Sequence, residues 1–399
     1  MLELKECYGE LAPPERILLG AGPSGVDPRV LKAMSTPLIG HLDPEFIKIM
    51  DDIRALLCYV FQTKNTLTLP MPGTGSAGME TILSNLLEPG DKAIVALCGV
   101  FGERIVDIAE RSGAEVNVIQ GEWGCIIEAE QIEAAFKEAP EAKVLLFVHA
   151  ETSTGILQPV DDIVRIAHQH GALVAMDCIS SLGGAPVLLD EWGIDAAYSG
   201  TQKCLGCPPG LAPISLNAKA RKVLHNRKVK VPSWYLDLTM IERHWGQERF
   251  YHHTAPVSMA YALREALRII AEEGLEARWA RHKLNAKAFI AGCEAMGLEP
   301  WAQEGHRLPS LIALKIPEGV KDTETRQHLL QKFQIEISGG LGPVKGKIWR
   351  VGLMGPNSNR KNTILALISL ASALNAQGFK ASASAALEAA TVVYDRTGK

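Results

Sequence analysis

The run Ala196-Ala197-Tyr198-Ser199-Gly200-Thr201-Gln202-Lys203 is a short apolar segment that leaves through small polar residues into a single lysine. Upstream, Ala172-Leu173-Val174-Ala175-Met176-Asp177 is a second apolar run, and it ends in a carboxylate. Further short apolar runs lie at 93–97, 115–119, 143–149 and 212–216. Several are separated by stretches with helical spacing, as at 102–111, 129–137 and 160–170. Apolar strands alternating with helices predict an α/β fold with a mostly parallel sheet covered on both faces. Ligands in such sheets sit beyond the carboxyl ends of the strands, where Asp177 and Lys203 fall.

Outward from this centre, Asp43 is placed to cap a helix with Pro44 in its first turn. Phe46, Met50, Ile53, Leu57 and Val60 follow at the spacing of one buried helical face. A long helical region over 256–295 leads to a second set of shorter elements. These are strand-like runs at 311–316, 334–338 and 348–354, a helix over 361–377 and an alanine-rich closing helix over 381–390. The expected division is an arm over 1–17, a large cofactor-binding domain over 18–275 and a smaller C-terminal α+β domain over 276–399.

An aspartate and a lysine each placed at a strand end match what pyridoxal phosphate requires. The lysine amine forms a Schiff base with the aldehyde, and the carboxylate keeps the pyridine nitrogen protonated so that the ring accepts electrons. Taken alone, the pair also fits a loop lysine and a capping aspartate. Gly73-Thr74-Gly75-Ser76-Ala77-Gly78 matches a G-x-G-x-x-G pattern. A dinucleotide site would want an acidic residue ending the next strand, and 93–97 runs instead into Cys98-Gly99-Val100-Phe101. The same glycines, with a helix opening near Ala77, suit a single phosphate.

Composition excludes several classes. A net charge of -4 provides no basic footprint for nucleic acid, and no uninterrupted apolar run reaches the length of a membrane span. The opening Met1-Leu2-Glu3-Leu4-Lys5-Glu6 lacks the order of a secretory signal, and Arg396-Thr397-Gly398-Lys399 matches neither a peroxisomal nor a prenylation signal. The expected compartment is the cytoplasm. The eight cysteines are scattered, and Cys204-Leu205-Gly206-Cys207 has no second pair to complete a zinc site. His252 and His253 are adjacent, so on a regular element their rings point apart. No metal is expected.

The motifs together are more specific than any one of them. Thr74-Gly75-Ser76, Glu151-Thr152-Ser153-Thr154-Gly155, Asp177, Ser199-Gly200-Thr201-Gln202-Lys203, Tyr251-His252-His253-Thr254 and Gly346-Lys347-Ile348-Trp349-Arg350-Val351-Gly352 resemble the class V aminotransferases, collinearly from about residue 18 to 375. The likeness is to the alanine–glyoxylate and serine–pyruvate group. It implies an aspartate-aminotransferase-type (fold type I) chain, pyridoxal phosphate as cofactor, small amino acids and 2-oxo acids as substrates, and a homodimer with shared active sites. By the same resemblance Lys203 would carry the cofactor and move the substrate proton, and Asp177 would pair with the pyridine nitrogen. Ile179 and Phe101 would pack on the two ring faces, and Ser153 would bond the ring oxygen. Thr74, Gly75, Ser76 and Gln202 would hold the phosphate, joined by Tyr251 and Thr254 from the neighbouring subunit. Arg350 would fork onto the substrate carboxylate, with His41 beside the substrate.

Within the group the substrate is set by few positions. Asp27 to Pro37, Phe61-Gln62-Thr63-Lys64-Asn65 and Asp190 to Ala197 are also similar to ureidoglycine–glyoxylate aminotransferases. The resemblance implies that those enzymes carry glutamine and asparagine where this chain has His41 and Tyr251. Amides pair with a ureido group in a way histidine and tyrosine do not reproduce. The stretch Ala280 to Lys287 is similar to pyridoxamine–pyruvate aminotransferase. A lyase or desulfurase on the same fold would need a reactive cysteine on a mobile loop, and Cys204 and Cys207 lie too close to Lys203 for that. The expected reaction is transfer between alanine or serine and glyoxylate or pyruvate.

Overall fold

In the computed structural model of the chain, residues 8–397 are described. Cys7, the opening Met1 to Glu6 and the closing Gly398-Lys399 lie outside them.

A seven-stranded sheet runs in the order Leu67–Pro72, Leu211–Leu216, Ala196–Tyr198, Leu173–Asp177, Val144–Val148, Lys92–Leu97, Glu115–Gln120. Leu211–Leu216 is antiparallel to both of its neighbours, and the remaining pairings are parallel. Val144–Val148 and Leu173–Asp177 are buried at every residue, so helices cover both faces of the central strands. The strand Leu67–Pro72 was not legible as a strand because it contains Pro70 and Pro72, which cannot donate to a ladder. It sits at the edge of the sheet, where prolines are tolerated.

The helix Pro44–Phe61 forms as its pattern predicts. Asp43 Oδ1 accepts from the Glu45 amide at 2.8 Å, and Phe46, Met50, Ile53, Leu57 and Val60 are buried. The helical region over 256–295 is two helices, Val257–Glu273 and Leu275–Ala295, broken at Gly274 with φ +81°. That left-handed φ is readily adopted by glycine.

A second hydrophobic core gathers Leu19, Phe289, Leu314, Leu329, Ile335, Trp349 and Leu370. Its antiparallel sheet is built from Leu311–Lys315, Ile348–Gly352 and Ser338–Gly339. The run expected as one strand over 334–338 divides between two sheets. Ile335–Glu336 pairs in parallel with Ile17–Leu18, while Ser338–Gly339 joins Ile348–Gly352. The closing helix Ala383–Thr397 packs on Leu275–Ala295. Beyond Leu19 the Ala21 amide donates to Ser338 Oγ at 2.9 Å, and Ala21 packs in a small cluster with Ala150, Cys204 and Met354.

Candidate active site

Asp177 is the last residue of its strand, and it is paired in register with Tyr198 on the adjacent parallel strand. Five residues beyond Tyr198 the chain reaches Lys203, so the carboxylate and the amine open at the same carboxyl edge of the sheet. Both line one cleft with Thr74, Gly75 and Ser76. Phe101 and Arg104, from the helix Val100–Arg111, line it as well. Ile179 and Gln202 complete its walls.

Lys203 is only 8% exposed. Its Nζ donates to the Ala21 carbonyl, and its own carbonyl accepts from Ser24 Oγ at 2.7 Å. Burial lowers the amine to about 8, with the Arg350 guanidinium adding repulsion. Gly22 permits this contact. It has φ +115°, and a Cβ there would lie 2.5 Å from Lys203 Nζ.

Asp177 Oδ1 accepts from the Ile179 amide at 2.8 Å, whereas Oδ2 is buried with no hydrogen-bond partner. The Tyr198 hydroxyl neighbours the carboxylate without closing a hydrogen bond to it. Burial pushes the carboxyl up to about 7 against the Ile179 amide, and Glu151 raises it further. A buried carboxylate oxygen left open costs stability unless a cation or donor meets it. A ring N–H⁺ is such a partner, and this atom is where pyridoxal phosphate fits.

At the end of the cleft lined by Thr74, Gly75 and Ser76 the helix Gly75–Leu86 opens without a side-chain cap, since Thr74 makes no capping bond. Its first amides therefore face the cleft with the helix dipole behind them. The expected start near Ala77 is two residues late. Gly75 lets the helix start lie close to Ile179, since a Cβ there would meet Ile179 Cδ1 at 2.8 Å and push that side chain aside. Gln202 Oε1 is buried without a partner.

Arg350 is buried; its Nη1 donates to the Thr152 carbonyl at 3.2 Å and its Nε to the Gly339 carbonyl at 2.8 Å. Ser153 stands behind the lining. Its Oγ donates to Glu151 Oε1 at 2.6 Å and accepts from the Val100 amide at 3.0 Å. His41, Tyr251 and Thr254 are not brought into this cleft within one chain. Tyr251 is 53% exposed, with its ring 5.5 Å from that of His41.

Two residues were given no role from the sequence. Glu151 is fully buried and accepts from the amides of Phe101, Gly102 and Ser153 as well as Ser153 Oγ, tying the helix Val100–Arg111 to the Ser153 turn. Arg104 lines the cleft one helical turn after Phe101, a spacing that puts both on one face. His252 and His253 do not point apart. They lie outside helix and strand, and their Nδ1 atoms are 2.8 Å from each other. Among the described residues no group of three histidines, cysteines or acids is placed to hold a metal. Cys204 and Cys207 are both buried, and burial pushes the Cys207 thiol up to about 12.

The aminotransferase class-V family model matches residues 17–353. The alanine–glyoxylate aminotransferase of Rattus norvegicus is 43% identical, over 88% of this chain and 86% of its own. The crystal structure of alanine–glyoxylate aminotransferase from Nostoc sp. is 44% identical with a TM-score of 0.91, over 93% of this chain and 98% of that one. The crystal structure of ureidoglycine–glyoxylate aminotransferase from Bacillus subtilis is 40% identical with a TM-score of 0.95, over 97% and 100%. With the lysine and the aspartate at adjacent strand ends and the match running through both cores, the chain belongs to the class V aminotransferase family.

Proposed function

We propose that the cleft binds pyridoxal phosphate at Lys203 and transfers an amino group from alanine or serine to glyoxylate or pyruvate. The observation that carries it is the buried Lys203 amine and the open Asp177 Oδ2 in one cleft, beside an uncapped helix start. When bound, the cofactor supplies an electron sink that acidifies the substrate Cα–H. Lys203 takes that proton and returns it, a task suited to an amine whose pKa has been lowered toward neutrality. Asp177 Oδ2 holds the ring N–H⁺, Ile179 and Phe101 bracket the ring, and Ser153 serves the ring oxygen. Thr74, Gly75, Ser76 and Gln202 hold the phosphate. Arg350, fixed by two carbonyls, keeps its remaining N–H groups for the substrate carboxylate.

His41, Tyr251 and Thr254 complete the site of a second subunit in this proposal, making the enzyme a cytoplasmic homodimer with shared sites. Exposed Trp234, Phe250 and Tyr251 support a face that is covered in the assembly. Within each subunit, 18–275 is the cofactor-binding unit, 276–399 the smaller one, and 1–17 an arm. No helix among the described residues is long and apolar enough to cross a membrane.

A screen of alanine, serine and glycine against glyoxylate and pyruvate, with ureidoglycine and pyridoxamine as further donors, tests the reading. Pyruvate formation from alanine and glyoxylate is the expected result. A preference for ureidoglycine over alanine and serine would overturn the assignment drawn from His41 and Tyr251. A colourless protein with no transfer from any donor would overturn the enzyme itself.

A further inference from the structure

Of the side chains lining the cleft, only Lys203 and Arg104 are cationic. On the reading above Lys203 is committed to the cofactor aldehyde, and buried Arg350, outside the lining, is held by the Gly339 and Thr152 carbonyls. Arg104 has no such commitment. Its Nη1 donates to Ser76 Oγ at 3.2 Å, which places the guanidinium at the Thr74-Gly75-Ser76 end. Its Cζ stands 5.1 Å from the centre of the Phe101 ring, a cation–π distance. Arg111 at the far end of the same helix pairs with Asp107 at 2.9 Å, whereas among the described residues no carboxylate pairs with Arg104.

The other groups assigned to the phosphate from this chain are neutral: hydroxyls of Thr74 and Ser76, the Gln202 amide and backbone N–H. A dianion held by these alone has partial dipoles around it but no full counter-charge. We propose that Arg104 is that counter-charge, a further cofactor-binding residue that closes on the phosphate while its flat face braces Phe101 against the ring. The inference rests on the pyridoxal phosphate reading above. The Ser76 hydroxyl can serve both partners, since one oxygen accepts from Arg104 and still donates to a phosphate oxygen. A guanidinium supplies the fork and the flat face together, and lysine supplies neither.

Pyridoxal has the same ring and aldehyde without the phosphate, so it separates the two duties. Full-length protein stripped of cofactor is titrated with pyridoxal phosphate and with pyridoxal, and each affinity is read from the visible absorbance. Arg104→Gln is expected to weaken pyridoxal phosphate by about tenfold or more and pyridoxal far less, by the lost brace on Phe101 alone. Arg104→Lys falls between, and Arg111→Gln changes neither. Circular dichroism of each variant checks folding. Equal losses for both ligands would reduce Arg104 to a brace for Phe101 and overturn the proposal, as would no loss for either. A wild-type protein that takes up no pyridoxal phosphate sinks the cofactor reading as well, and is told apart by the missing absorbance before any substitution is made.

Discussion

At the residue scale, the pKa values of Lys203 and Asp177 are the most testable property of the site. Lys203 is lowered to about 8, so its neutral, nucleophilic form grows as pH rises through that value. The rate at which stripped protein takes up cofactor should therefore climb with a midpoint near pH 8. A midpoint in the ordinary lysine range, near 10, would show that Lys203 is not desolvated. Asp177 is raised to about 7. A raised folded value contributes stability that is complete below the ordinary aspartate pKa and is lost as pH climbs through the folded one. Cofactor-free protein should thus lose a few kcal/mol, to order of magnitude, between about pH 4 and pH 7, and Asp177→Asn should flatten that part of the curve. Urea denaturation at several pH values checks it, and parallel curves for the two proteins would refute it. Arg350→Lys should raise KM for every carboxylate substrate by about tenfold, because an ammonium replaces a two-point fork. Unchanged KM values would remove Arg350 from substrate binding. Asp177 and Lys203 were legible in the sequence because each closes an apolar run. Arg104 was not, since an exposed arginine on a helix reads as a solvated charge until a cleft is seen beside it.

At the scale of elements, a period of 2 or 3.6 was read correctly wherever packing and local pattern agree. The helix Pro44–Phe61 and the central strands are such cases. Where the fold depends on remote pairing, the pattern was silent. The prolines of Leu67–Pro72 disguise an edge strand, and nothing local announces that the backbone at Ile337 passes from one sheet to another. One helix contact hinges on a missing side chain. A Cβ at Gly292 would stand 2.5 Å from Leu367 Cδ1 and 3.0 Å from the Ala386 carbonyl, where the helices Leu275–Ala295, Arg360–Asn375 and Ala383–Thr397 meet. Leu367 can rotate away, but the backbone carbonyl cannot. Gly292→Val is expected to cost about 1–3 kcal/mol through overpacking, visible as a lowered Tm with cofactor absorbance retained. A Tm at or above wild type would mean that the closing helix shifts freely.

At the scale of the whole molecule, the shared-site proposal makes a distinctive prediction. Lys203→Ala and a Tyr251→Phe/Thr254→Ala double variant should each be inactive or nearly so. Mixing them under conditions that exchange subunits should restore partial activity, because one heterodimer site then has every residue. No recovery despite demonstrated exchange would confine each site to one chain. The family and the reaction class were legible from motifs spread over the chain; the homodimer rests on the resemblance alone, because no residue of the motifs reports what covers it. The pairing of Ile17–Leu18 with Ile335–Glu336 also sets a timetable. On the ribosome the early strand emerges long before its partner is made. At about 5–20 residues per second the wait is tens of seconds. During that interval the carbonyl of Ala21 has no fixed address, and the bound cap over Lys203 is absent. Lys203 of a nascent chain therefore lacks its Ala21 contact until synthesis of the distal core draws residues 17–22 across it.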